Sequence, residues 1–191
     1  MLASNALTTI ERVRRSLGFG TDDSKDEFII ESINLASQVI ERFCNRKFEK
    51  KEYTDFTNME SDEYLFSQYP VHQIIDINNK PVSFPTMDVL SGIFYGYIPK
   101  HATIRYIAGY DLPNSTDFAY STYPLPPDLQ QACLKLVLYL YEDEETVSTA
   151  DMGEIKSVDM GDMKVQLQSG NLESIPDDVM QLLRSHRKMN L

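Results

Sequence analysis

Pro126-Pro127-Asp128-Leu129-Gln130-Gln131-Ala132-Cys133-Leu134-Lys135-Leu136-Val137-Leu138-Tyr139-Leu140-Tyr141 is the stretch on which the fold turns. Its two prolines suit the first turn of a helix, where amide protons lack intrahelical partners anyway. Beyond them the segment is apolar on more than one face. Only Gln130, Gln131 and Lys135 interrupt it, whereas a helix on the surface of a monomer keeps a broad polar stripe. Two arrangements satisfy such a helix: it is the centre of a helical bundle, or a neighbouring subunit covers one side.

Upstream, Thr8 and Glu11 stand at capping-box spacing before Ile10, Val13 and Leu17, and Gly18 supplies a stop, so the pattern predicts a short amphipathic helix. Ser24 and Glu27 repeat the start signal for a longer helix whose apolar positions Ile29, Ile33, Ala36, Ile40 and Phe43 step by three and four. Asn45, which tolerates a left-handed backbone, ends it. Arg12, Arg14 and Arg15, and again Arg42, Arg46 and Lys47, fall near helix C-termini, where positive charge offsets the macrodipole by about 0.3–1 kcal/mol each. That role accounts for both clusters without a nucleic-acid ligand.

Between these helices, from Phe48 to Tyr110, short runs of Tyr, Phe, Ile and Val are broken by prolines and glycines, which is strand-and-turn composition. Ile74–Ile77, Asn78-Asn79 and Pro81–Phe84 predict a hairpin, with the asparagines taking positive φ. Gly92–Ile98 and Ala102–Ile107 predict two further strands. The tyrosines here (Tyr53, Tyr64, Tyr69, Tyr95, Tyr97, Tyr106, Tyr110) either present a sticky surface or fill the faces of a small sheet, the second being expected of most of them.

After Tyr141 the acidic run Glu142-Asp143-Glu144-Glu145 predicts a solvated helix end, because a calcium loop needs alternating ligands and a turn glycine. Residues 146–161 predict a loop, 163–167 a strand, and Gly170-Asn171 a second loop. Ser174 caps a last helix with Pro176 at its start, Asp177 and Asp178 in its first turn, and Arg184, Arg187 and Lys188 at its end. Its apolar stripe of Val179, Leu182 and Leu183 is narrow, which makes the helix marginal alone and suited to docking elsewhere.

Composition bounds the function. The chain has 191 residues, 42% of them apolar, enough for one core and a small second lobe. With 29 acidic against 18 basic residues its net charge is −11, which opposes gripping a phosphate backbone. No stretch approaches the roughly 20 apolar residues of a membrane span, and the N-terminus lacks a signal-peptide core. The chain is expected to stay in the cytosol. Cys44 and Cys133 sit inside apolar helical patterns and predict reduced core residues. His72, His101 and His186 are scattered, and no GxSxG, phosphate-loop or dinucleotide fingerprint occurs, so neither an enzyme, a metal nor a cofactor is expected.

The segment Ile40-Glu41-Arg42-Phe43-Cys44-Asn45-Arg46-Lys47-Phe48 is similar to the I-E-R-Y-C-G-R-x-F signature of the head–tail connector (adaptor, or head-completion) proteins of tailed bacteriophages, with Asn45 where that family commonly places Gly. Gln68-Tyr69-Pro70-Val71, Tyr106-Ile107-Ala108-Gly109-Tyr110, Leu125-Pro126-Pro127-Asp128-Leu129, Ser157-Val158-Asp159-Met160-Gly161-Asp162 and Ile175-Pro176-Asp177-Asp178-Val179 resemble further blocks of the same family, in the same order. The middle β lobe is larger than in the smallest connectors.

The expected architecture is α+β, mainly α: a four-helix connector bundle (1–47 and 111–145), an inserted β-rich lobe (48–110), and a C-terminal docking arm of loop, β element and helix (146–191). The resemblance implies a structural protein of the virion neck, made in the host cytoplasm. Its partners would be the portal protein, a stopper or tail-completion protein, and further copies of itself in a ring, twelve-fold as is usual in that family, with genomic DNA passing through unbound. On this reading Ile175, Val179, Leu182, Leu183, Arg184 and Arg187 carry the portal contact, and Leu134, Leu138 and Tyr139 carry ring packing. Deletion after Asn171 would then leave the bundle folded. The alternative is a monomeric helical adaptor or regulatory protein-binding module of bacterial or prophage origin.

Overall fold

The computed structural model describes residues 1–83, 85–115, 118–150 and 175–188. These form two compact units, one of residues 1–45 with the chain from 126 onward, the other of residues 46–125.

The first unit is helical. Helix α1 (Ile10–Leu17) is capped by Thr9, whose hydroxyl accepts the Arg12 amide at 3.2 Å, one residue later than the capping-box spacing suggests; Thr8 is buried instead. Gly18 closes it at φ 79°. Helix α2 (Asp26–Cys44) ends at Asn45, φ 51°, as its sequence predicts. Ile29, Ile33, Ala36, Ile40 and Phe43 line its buried face. Arg14 spans the two helices, its Nε donating to Asp26 Oδ1 at 2.7 Å. The N-terminal segment is pinned along α2: Ala3 N–H donates to Asn34 Oδ1 at 2.8 Å and Leu7 N–H to Ser37 Oγ at 3.0 Å.

Helix α3 (Pro127–Ala150) runs past Tyr141, where the sequence suggested an end, and through the acidic run. Glutamate is a good helix former, and continuation keeps these carboxylates off the negative end of the macrodipole. The first part of the expected 146–161 loop is therefore helix. Its remainder, the expected 163–167 strand, the Gly170-Asn171 loop and the Ser174 cap lie outside the described residues. Helix α4 (Asp177–Leu183) packs on α3 and α2, while α3 also meets α1 and α2. The several apolar faces of α3 are thus covered within its own unit. Cys133 is buried there, which pushes its thiol up to about 12.

Among its described residues the second unit holds seven strands: β1 (Lys51–Phe56), β2 (Ser61–Leu65), β3 (Val71–Ile77), β4 (Lys80–Pro81), β5 (Thr86–Asp88), β6 (Ile93–Ile98) and β7 (Thr103–Ala108). They form two antiparallel sheets, ordered β1-β7-β3-β4 and β2-β6-β5. Asn78 and Asn79, at φ 53° and 61°, make the tight β3–β4 turn that their identity predicts. Beyond Pro81 the expected strand does not continue, and Phe84 lies outside the described residues. One core joins Phe66, Val71, Ile74, Phe94, Ile98, Ile104 and Tyr106, with the rings of Phe66 and Tyr106 4.5 Å apart. Arg46 is not a helix-end charge but a buried one, its guanidinium 3.5 Å from the centroid of Tyr69 and flanked by Phe48 and Tyr110.

The fold is therefore α+β in balanced measure, and not the mainly helical four-helix connector bundle with a small β insertion. Two of the four described α-helices have only 8 and 7 residues. The β unit includes strands β1 and β2, whose Lys51, Glu52, Asp62 and Glu63 disguise them: both are edge strands, where charge is the usual protection against stray pairing. The segment 111–125, assigned to the helical core on sequence grounds, clusters with the β unit.

Candidate functional site

In the helical unit the residues expected to carry the portal contact divide. Ile175, Val179 and Leu183 are buried against their own unit, Leu182 is half-buried, and Arg184 and Arg187 are exposed. The C-terminal helix is thus a seated part of the core and not an extended docking arm, and deletion after Asn171 would remove three core side chains. Polar pairs clamp its two ends. Lys135 of α3 bonds the Asp178 carboxylate, which also accepts the Tyr139 hydroxyl at 3.2 Å. His186, in the 3₁₀ turn after α4, bonds Asp128 at 2.6 Å. Among the expected ring-packing residues, Leu134 is buried while Leu138 and Tyr139 are half-buried.

The Lys135 ammonium holds the Asp178 carboxyl below its ordinary range. A depressed carboxyl contributes stability above its unfolded pKa of about 3.9 and loses it as pH falls through the lower folded value. We therefore expect α4 to loosen below about pH 4. Asp178→Asn should remove this acid sensitivity, as followed by hydrogen exchange of the α4 amides against pH. An unaltered pH profile in Asp178→Asn would reject the clamp.

The β unit presents the more unusual surface. Apart from Met1, every exposed large apolar side chain among the described residues belongs to it: Phe56, Met59, Leu65, Leu90, Tyr95 and Tyr97. Strand alternation explains the sheet members. In β6 the even positions Phe94 and Ile98 enter the core, so Tyr95 and Tyr97 point out. Register extends the outer face sideways, with Glu63 and Thr86 flanking Tyr95 and Leu65 and Asp88 flanking Ile93. Tyr97 donates to Glu60 Oε2 at 3.3 Å. The Glu60 carboxylate, aided by burial and by Asp62, raises the Tyr97 phenol above its ordinary pKa. The face is aromatic, aliphatic and strongly negative at once. Sequence reasoning left these tyrosines between a sticky surface and the filling of sheet faces, and expected filling of most of them. The available signal was the pairing of tyrosines on one parity of β6 with buried residues on the other.

No group of three or more His, Cys, Asp or Glu side chains among the described residues is placed to hold a metal ion. Nor is any described helix long and apolar enough to cross a membrane. Among the described residues the arrangement provides contact surfaces.

A family model described as head completion protein matches residues 6–189. No curated protein matches the sequence. Among solved structures, the chain is similar to one in the neck of an empty gene transfer agent particle computed with C6 symmetry (TM-score 0.58, 17% identity, covering 100% of this chain and 94% of that one). It is also similar to one in the neck of the native particle computed with C12 symmetry (TM-score 0.55, 16% identity, 100% and 93% covered). A third lies in the virion of the native particle (TM-score 0.57, 18% identity, 100% and 94% covered). At such identities the likeness is one of fold.

Proposed function

We propose, from the premise that the chain belongs to the head completion protein family and serves the head–tail connection of a phage-like particle, that it assembles as a ring beneath the portal. That ring joins capsid to tail and lets DNA pass. The observation that carries this reading is the family match over residues 6–189, which spans both units. The six- and twelve-fold symmetries of the necks that hold its structural neighbours support a ring.

The physical properties agree with the role. A net charge of −11 keeps the wall of a channel from binding the phosphates that move past it. The work is structural, and no bond is made or broken. The portal contact falls to Leu182, the accessible apolar member of the C-terminal set, while Ile175, Val179 and Leu183 hold the helix that presents it. Leu138 and Tyr139 remain available for packing between subunits. A stopper or tail-completion protein meets the opposite side.

A stop codon early in the gene, followed by electron microscopy of the particles produced, tests the reading. Tailless heads beside free tails are expected. Complete particles with attached tails would overturn it and favour the monomeric adaptor.

A further inference from the structure

The outer face of the β2-β6-β5 sheet lacks a partner within the described chain in two respects. Tyr95, Tyr97 and Leu65 leave apolar area in water. Glu60, Asp62, Glu63 and Asp88 have no cation within ion-pair distance among the described residues. Four unneutralised carboxylates around exposed tyrosines raise a cost that a basic surface would relieve, since tyrosine rings take guanidinium groups on their faces and carboxylates pair with them.

The chain carries such a surface elsewhere. Arg42 in the last turn of α2 is exposed, and Lys188 N–H donates to Cys44 O at 2.8 Å, bringing the end of the chain's last turn to the same place. There Arg187 lies over the Phe43 ring at 5.6 Å, and Arg184 is exposed one turn earlier. No carboxylate among the described residues pairs with Arg42, Arg184 or Arg187. One acidic aromatic face and one basic helix end, each unneutralised, are complementary halves.

We infer that the acidic tyrosine face of the β2-β6-β5 sheet docks a second copy of this chain, through the Arg42, Arg184 and Arg187 cluster at that copy's helix end. Two different surfaces meeting make a heterologous contact, which repeats around a ring when the rotation closes. It also lets a chain of charge −11 associate with itself, by placing local opposite charges face to face. This inference rests on the ring reading above and adds a charged contact to the subunit packing given there to Leu138 and Tyr139.

A charge-swap series on the full chain tests it: Glu60→Lys with Asp62→Lys, Arg184→Glu with Arg187→Glu, and all four together. Each is followed by sedimentation velocity at low ionic strength and by copy number in necks recovered from particles. Thermal melts identify any variant that fails to fold, for which Tyr97→Ala replaces the sheet-face pair and Arg184→Ala the helix-end pair. Either pair should weaken self-association at least tenfold, and the quadruple variant should recover it. If the folded pairs associate like wild type, the contact is wrong and the ring stands. Recovery absent in the quadruple variant, with the sheet-face pair still defective, makes the occupant a different basic protein and overturns the second copy. One copy of the wild-type chain per neck overturns the ring, and this contact with it.

Discussion

Leu183→Ala will lower the stability of the helical unit by about 2–5 kcal/mol, the range for a fully buried leucine whose removal leaves a cavity. Leu183 has no exposed surface; with Val179 it forms the inner side of α4, and Ile175, just ahead of the helix, is buried too. For a unit of this size the melting midpoint should fall by roughly 8 °C or more. Leu182→Ala is the informative contrast. Half-buried on the outer side, it should shift the midpoint little, and if the portal contact proposed above holds it should weaken a pull-down by the portal. If Leu183→Ala melts like wild type, α4 is not seated in solution, and the free-arm architecture returns.

Gly109→Ala will disrupt the β unit more severely than any other single methyl group we can place. Gly109 sits at φ 109°, and an added Cβ would lie 2.4 Å from Glu49 O, 2.7 Å from Glu49 C and 2.8 Å from Lys50 N. All three are backbone atoms. They cannot retreat cheaply, because Lys50 N–H donates to Tyr110 O at 3.1 Å and Tyr110 N–H to Phe48 O at 2.7 Å on either side of the contact. Strain at such a φ and overpacking each cost about 1–3 kcal/mol. We expect loss of the β-unit transition in thermal unfolding monitored by tyrosine fluorescence, or an insoluble product. Gly18→Ala provides the comparison: it also has positive φ, 79°, but no atom within 4 Å of the new Cβ. It should cost only the conformational part, about 1–2 kcal/mol. Equal behaviour of the two variants would disprove the backbone clash.

Local signals in the sequence were legible wherever one residue decides a backbone state. Gly18 and Asn45 end their helices, Asn78-Asn79 turns a hairpin, and the spacing of Ile29, Ile33, Ala36 and Ile40 defines the inner face of α2. The connector resemblance was legible too, and Gly109, within one of its blocks, has a steric reason to be glycine. What escaped depended on partners distant in sequence. The stripe on α4 looked too narrow to be core, because Lys135 meets Asp178 across 43 positions and His186 meets Asp128 across 58. Edge strands β1 and β2 look like loops until their neighbours β7 and β6 are in place. Likewise, tyrosine is at home on either side of a sheet, so Tyr95 and Tyr97 gave no hint of facing outward until Phe94 and Ile98 were seen to face in.

The chain order of the two units has a consequence for biosynthesis. Residues 46–125 are contiguous, whereas the helical unit needs residues from before and after them. A nascent chain leaving the ribosome can complete the β unit while α1 and α2 still wait for α3 and α4. A peptide whose translation stops short of Leu183 would present an unfilled helical groove to chaperones and proteases. Translation through α4 is therefore needed before the helical unit can close its own core.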